Sequence, residues 1–255
     1  MPVVLLHGLT ATRRYVVMGS RRLERSGHRV LAYDARGHGR SAPAADGDYS
    51  YPRLAADIGA VLDAAGIPRA VLAGASMGAH SAVRFALDRP ERVAGLVLVT
   101  PAFDPAGSGS AQELAGWDRL ARGLRAGGIE GFIEVYDFDR VAPGLRATVE
   151  TVIRQRLSAH EHPAAVADAL EAVPRSRPFE DPSELAALDV PVAVVASRDG
   201  PDPGHPLAIG EAWARWIPGA RLIVEEQADP PRSPIAWQGG QLSAVIAEVA
   251  ADVRM

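Results

Sequence analysis

The sequence predicts an α/β protein: a doubly wound, mostly parallel sheet of about six strands that carries an all-helical insertion. Three observations lead there. Short apolar runs recur along the chain, and they are apolar almost throughout rather than alternating, the pattern of parallel strands covered on both faces. Helical patterns separate these runs, giving the β-α-β-α rhythm of a doubly wound sheet. One interval, from about Phe103 to about Leu188, breaks the rhythm with helical segments and no strand.

The strand-like runs are Val3–Leu6, Arg29–Tyr33, Ala70–Ala73, Gly95–Val99, Val192–Ala196 and Arg221–Val224. Between them, Arg13–Ser26, Tyr51–Ala65, Met77–Leu87, Pro206–Trp216 and Ala244–Val253 read as helices. In the strandless interval, Ala111–Arg125, Ile129–Val135, Leu145–Leu157 and Pro163–Ala172 are helical, separated by Gly, Pro and His. The expected organisation is therefore a core of residues 1–104 and 185–255 and a helical lid of residues 105–184. An insertion after a strand is placed to cover the strand ends, where α/β sheets bind ligands; its plainer reading is an added packing layer.

Composition narrows the chemistry. The 255 residues include no Cys, which excludes disulfides, thiol nucleophiles and thiolate metal sites. All 27 cationic residues are Arg, so neither a lysine Schiff base nor a P-loop lysine exists. A formal net charge of -4 gives no basic footprint for nucleic acid. No run of roughly 18 apolar residues is present and the first residues lack a basic leader, so a cytoplasmic protein without membrane association is expected. No cofactor or metal is expected. Seven His remain as the side chains that titrate near neutrality.

The strongest motif is Gly74-Ala75-Ser76-Met77-Gly78, between an expected strand and an expected helix. This is the G-x-S-x-G nucleophile elbow in the context it requires. A sharp turn strains the serine backbone and lifts its Oγ above the sheet, while the helix N-terminus aims N–H groups at developing negative charge. His7-Gly8-Leu9-Thr10 follows the first strand and supplies a second donor. The expected oxyanion hole is the backbone N–H of Leu9 and of Met77, and the His7 ring is expected to hold the loop.

Together with Asp34-Ala35-Arg36-Gly37-His38-Gly39-Arg40-Ser41, these motifs resemble the α/β-hydrolase fold family, in its lidded esterase, lactonase and haloperoxidase-like branch. The resemblance spans nearly the whole chain, with the motifs in the family's order. It implies a structural role for His38 and a catalytic order of serine, then acid, then histidine. Two departures follow. The family usually has two strands before the His-Gly turn, which here comes at residue 7, so the sheet is expected to be short at its first edge.

The second departure concerns the triad. The acid should follow Val192–Ala196, where the residues are Ser197-Arg198-Asp199-Gly200-Pro201-Asp202-Pro203-Gly204-His205-Pro206. The turn pattern before the next helix favours Asp202, with Asp199 and Asp104 as alternatives and capping or turn formation as the ordinary role of each. The family histidine should lie near Asp229–Pro231, but no His follows His205. A serine needs a base to act as nucleophile. His205, beside Asp202 in the acid loop, is the candidate. His80 lies one helical turn after Ser76; packing is its ordinary role and substrate contact the sharper one. His160 and His162 read as solvated loop residues, and their H-x-H spacing is weak as a metal signal. Trp237 and Gln238 occupy the usual histidine-loop region and are candidates for substrate binding. Arg154, Arg156, Arg175 and Arg177 would favour a carboxylate-bearing substrate if they faced the cleft; a solvated face is their ordinary reading.

The expected function is hydrolysis of a small or medium ester, thioester or lactone through an acyl-enzyme on Ser76, with His205 and Asp202 as a non-standard base and acid. The rivals are a lyase, cyclase or isomerase that uses Ser76 and the oxyanion hole without an acyl-enzyme, and a catalytically silent ligand-binding protein.

Overall fold

The computed structural model describes residues 1–142, 144–199, 202–226 and 234–253. Among these, six strands form one sheet: β1 (Pro2–Leu6), β2 (Arg29–Ala32), β3 (Ala70–Ala75), β4 (Val93–Val99), β5 (Val192–Ala196) and β6 (Arg221–Val224). Their order is β2-β1-β3-β4-β5-β6, and every neighbouring pair is parallel. The register aligns Leu5, Ala73, Val97 and Ala193 across four strands. From β1 the chain steps outward to β2, then returns to β3 on the other side. The loops leaving β1 and β3 therefore run to opposite sides, the switch point at the carboxyl ends of the strands where such sheets bind ligands.

The helices in chain order are α1 (Arg22–Arg25), α2 (Tyr51–Ala64), α3 (Met77–Asp88), α4 (Ala111–Glu134), α5 (Arg146–Leu157), α6 (Pro163–Ala172), α7 (Leu207–Trp216) and α8 (Gly239–Asp252). Alternate strand residues feed two cores. Val4, Leu6, Leu72, Leu96, Leu98 and Val194 pack with Ile58, Leu62, Phe85 and Trp213 on one face. Val3, Leu5, Val71, Val97 and Val195 pack with Leu23, Leu242, Ile246 and Val249 on the other. Two buried faces explain the unbroken apolar runs, and each fully buried aliphatic side chain contributes roughly 1.5–3 kcal/mol.

The expected helix over Arg13–Ser26 does not form. A short 3-10 turn at Arg13–Tyr15 and the four-residue α1 stand there instead. Met18 and Gly19 both have positive φ, 47° and 75°, which interrupts any helix. The cause is tertiary, since the start of α8 at Gly239 packs directly on the Val17 carbonyl. The last helix begins five residues before the expected Ala244, and Ser243 Oγ donates to Gly239 O within its first turn.

Between β4 and β5 the chain is helical. α4 joins the two segments expected over Ala111–Arg125 and Ile129–Val135 across a kink at Gly128 (φ 59°, ψ -140°). Leu124, Phe132, Leu157, Val166 and Leu170 of this insertion share a core with Leu9, Tyr51, Leu54 and Met77. The insertion therefore rests on the β1 turn and the start of α3, over the carboxyl ends of the strands. No helix among the described residues is long and apolar enough to cross a membrane.

Candidate active site

The turn between β3 and α3 holds Ser76 at φ 50°, ψ -113°, a conformation costly for a residue with a side chain. The neighbours enforce it. Ser76 N donates to Val99 O at 2.9 Å, tying the turn to β4. A Cβ at Gly74 would overlap the Gly78 carbonyl, and one at Gly78 would overlap the Leu6 carbonyl, so strand and helix cross where only glycine fits. Ser76 is partly exposed, and its Oγ has no hydrogen-bond partner among the described residues. Met77 opens α3, so its N–H has no acceptor within the helix. Across the switch point, a Cβ at Gly8 would lie 3.6 Å from Ser76 Cβ, which sets the Gly8-Leu9 turn against the serine. Leu9 N–H donates to no backbone acceptor among the described residues.

Three buried histidines hold that turn. Ala35 N donates to His7 Nε2 at 2.9 Å, leaving Nδ1–H against Gly8 O, also at 2.9 Å. The His38 ring spans Arg36 O (2.8 Å) and Leu9 O (2.6 Å). Gly39 N donates to His160 Nδ1 at 2.8 Å, and His160 Nε2 lies 3.2 Å from Thr10 O. His160 is thus not the solvated loop residue its sequence context implies: it reaches from the insertion into the core and fixes the β1 turn to the Arg36–Ser41 loop. His162, two residues on, is partly exposed. Burial, the largest cause in each case, pushes His7 down to about 3 and His160 to about 4. Asp34 completes the scaffold by accepting from Arg13 N at 2.8 Å.

The acid loop sorts its three carboxylates. Asp199 Oδ1 accepts from Leu207 N at 2.6 Å and caps α7. Asp104 Oδ1 accepts from Ala106 N at 3.0 Å in a local turn. Asp202 Oδ1 lies 2.8 Å from His205 Nδ1. The side chains of Asp202 and His205 are 13% and 28% exposed, so the pair is sheltered yet reachable. Burial works against the charged imidazole, but the Asp202 charge and hydrogen bond outweigh it and hold His205 above its ordinary pKa. His205 Nε2 has no protein partner among the described residues, and no hydrogen bond joins His205 to Ser76. The His205 charge is felt at His80, one helical turn beyond Ser76. Glu225 braces this loop, accepting from Arg198 N at 2.7 Å and from Ile235 N at 2.9 Å. The family's histidine position near Asp229–Pro231 lies outside the described residues, as do Gly200 and Pro201 of the acid loop.

His80 is fully engaged by the protein. Ala102 N and Phe103 N lie 3.0 Å and 3.3 Å from its Nε2, and its Nδ1 lies 2.7 Å from the Tyr51 hydroxyl. Burial pushes it down to about 3, and with both ring nitrogens spent it holds the loop after β4. Trp237 packs against the insertion cluster of Phe138, Val141 and Val149. Gln238 precedes α8 and accepts from Leu242 N through its carbonyl at 3.0 Å. The insertion also reaches the acid loop, where Arg140 donates to Pro203 O at 3.0 Å. The Tyr136 hydroxyl is pushed up by burial and by the Asp202 charge. Neither Tyr136 nor Arg140 carries a sequence signal, because long-range folding alone brings them to residues more than sixty positions away. A separate surface hollow of about 730 Å³, lined by Tyr33, Arg36, Asp46, Arg53 and Asp57 among others, contains neither Ser76 nor His205.

Comparison with known proteins identifies the family of this fold. A family model described as alpha/beta hydrolase fold matches residues 1–230. The chain is 33% identical over 175 residues to RutD of Variovorax paradoxus (strain S110), provisionally named a carbamate hydrolase, covering 68% of this chain and 64% of that one. This match thus spans a little under two thirds of that relative's length. It is 32% identical over 235 residues to 2-hydroxy-6-oxononadienedioate/2-hydroxy-6-oxononatrienedioate hydrolase 2 of Pseudomonas putida, covering 87% and 78%. Among solved structures, a malate-bound thermophilic esterase from Thermogutta terrifontis superimposes with a TM-score of 0.79 at 26% identity, covering 100% of this chain and 91% of that one. With a six-stranded parallel sheet, a strained elbow serine and hydrolases among its relatives, this chain belongs to the α/β-hydrolase fold family.

Proposed function

We propose that the protein is a serine hydrolase acting on a small or medium ester, thioester or lactone, with the helical insertion as the lid of its cleft. The observation that carries this is the 2.8 Å Asp202–His205 hydrogen bond, which leaves His205 Nε2 without a partner among the described residues, in a loop following β5 at the carboxyl end of the sheet. Ser76 Oγ attacks the substrate carbonyl carbon and its proton passes to His205 Nε2. Leu9 and Met77 N–H hold the oxyanion as the tetrahedral intermediate forms. The leaving group takes the proton from His205, and water, activated by the same ring, then releases the acid and regenerates Ser76. Asp202 fixes the imidazole tautomer and stabilises the imidazolium. Esterase and hydrolase relatives support the reaction class. The closure needed to bring His205 onto Ser76 would accompany substrate binding, since catalytic hydrogen bonds are often long in unliganded enzymes.

The missing Ser76–His205 hydrogen bond favours one second reading, a non-hydrolytic enzyme in which Ser76 and the oxyanion hole only polarise a carbonyl. A fluorophosphonate probe separates the two. Labelling of the wild type that is lost in both Ser76→Ala and His205→Ala is the expected result. An unlabelled wild type would sink the acyl-enzyme, and labelling that survives His205→Ala would remove His205 as the base.

A further inference from the structure

Four arginines of the insertion stand within reach of the same question, whether the cleft takes an anion. Three are neutralised by the protein. Arg154 pairs with Glu130 and Glu150, Arg175 with Asp118, and Arg177, whose Nε is sealed from solvent without a hydrogen-bond acceptor, with Glu180. Arg156 differs. Among the described residues it forms no ion pair and no side-chain hydrogen bond, and its Nε is sealed from solvent without an acceptor. A guanidinium has five N–H donors and no means of shedding its proton, so an unmet one in a sheltered position is costly.

Its surroundings include Tyr15 and the Asp202–His205 loop. The guanidinium carbon lies 5.7 Å from the centre of the Tyr15 ring. The next residue, Leu157, is buried in the core that contains Leu9 and Met77. The Asp202 charge acts on Arg156, and the Arg156 charge is felt at Tyr136 and His205. Burial pulls the Arg156 pKa down in spite of Asp202, the signature of a cation whose counter-charge is incomplete. Only Nε is sealed, so the Nη pair is the end a ligand can meet.

We propose that Arg156 is the specificity-determining residue of this cleft and that it binds a carboxylate carried by the ester or lactone substrate. The proposal rests on the Ser76 hydrolase reading. With Asp202 nearby, the Arg156 guanidinium suits a monoanion, since the Asp202 charge would repel a phosphate dianion more strongly. The planar Nη edge matches the two oxygens of a carboxylate.

The test compares two substrates that differ only in charge: the mono-p-nitrophenyl ester of glutaric acid and the same ester with a terminal carboxamide. Wild type should prefer the acid in kcat/KM, and Arg156→Gln should lose that preference, roughly tenfold to a hundredfold, the scale of one charge-assisted pair. The carboxamide ester should lose far less than the acid, only what the lost Arg156 charge costs the base at His205. A preference that survives Arg156→Gln would overturn the proposal. A loss of equal size for both substrates would do the same, because it would place Arg156 with the Asp202–His205 pair and not with substrate. Glutarate binding by calorimetry gives a second readout independent of turnover, and binding in the wild type that Arg156→Gln abolishes is expected. Absence of binding in the wild type would count against Arg156. Fluorophosphonate labelling of Ser76 in both proteins keeps failure of the hydrolase reading separate from failure of this one.

Discussion

His205 donates through Nδ1 to Asp202 Oδ1 at 2.8 Å, and the two residues are only three positions apart in one loop. The triad acid and base of this fold usually come from two different loops, after two different strands. Here a single turn ahead of α7 carries both members of the proposed pair, with Asp199 closing the turn by capping α7 and Glu225, just after β6, bracing it.

That pairing predicts a pH profile. His205 is held above its ordinary value of about 6.5, and a base works only when neutral, so kcat/KM should rise with pH through a value above 6.5. Asp202→Asn removes the charge that raises His205. The rising limb should move to lower pH, and kcat should fall roughly 10²–10⁴-fold, the range for a disabled general base. Stability responds in the opposite sense. A raised histidine contributes fully below its unfolded pKa, and the contribution fades as pH climbs through its folded pKa. A pH–rate profile of wild type and variant decides the matter, and an unmoved limb would detach Asp202 from the base.

Strain at the elbow gives a second expectation. Ser76 sits at φ 50° with no hydrogen bond on its hydroxyl among the described residues, so the side chain costs backbone energy and returns none. Ser76→Gly should raise unfolding stability by about 1 kcal/mol while abolishing turnover. Urea denaturation reads the first effect and an ester assay the second. A destabilised glycine variant would mean that the hydroxyl has a structural partner.

Buried histidines make the third. His7 and His80 are pushed down to about 3 and His160 to about 4, mainly by burial. The unfolded chain binds protons at these sites below about 6.5 whereas the folded chain resists, so their contribution is intact above 6.5 and is lost as pH falls toward 4 and 3. The urea midpoint should therefore drop steadily from pH 7 to pH 4. His160→Gln, which keeps an acceptor for Gly39 N, should flatten that slope at the price of some stability at pH 7. A slope unchanged in His160→Gln would show that the ring does not carry the effect.

The sequence by itself determined the six strands and the strained elbow at Ser76. Six strands were legible because both faces of the sheet are buried, which makes each strand an unbroken apolar run. The elbow was legible because Gly74 and Gly78 are demanded by backbone crossings that no other residue survives, and that demand is written locally. It also named Asp202 and His205, since their pairing is local. Tertiary structure decided everything that depends on contacts between distant segments. Gly239 pressed on Val17 breaks the helix expected over Arg13–Ser26, and His160, solvated by its local context, is buried against Gly39 and Thr10. Which of four arginines stays unpaired was equally out of reach. Periodicity records how a residue relates to its own element, whereas the charge beside a guanidinium depends on which other element folds against it.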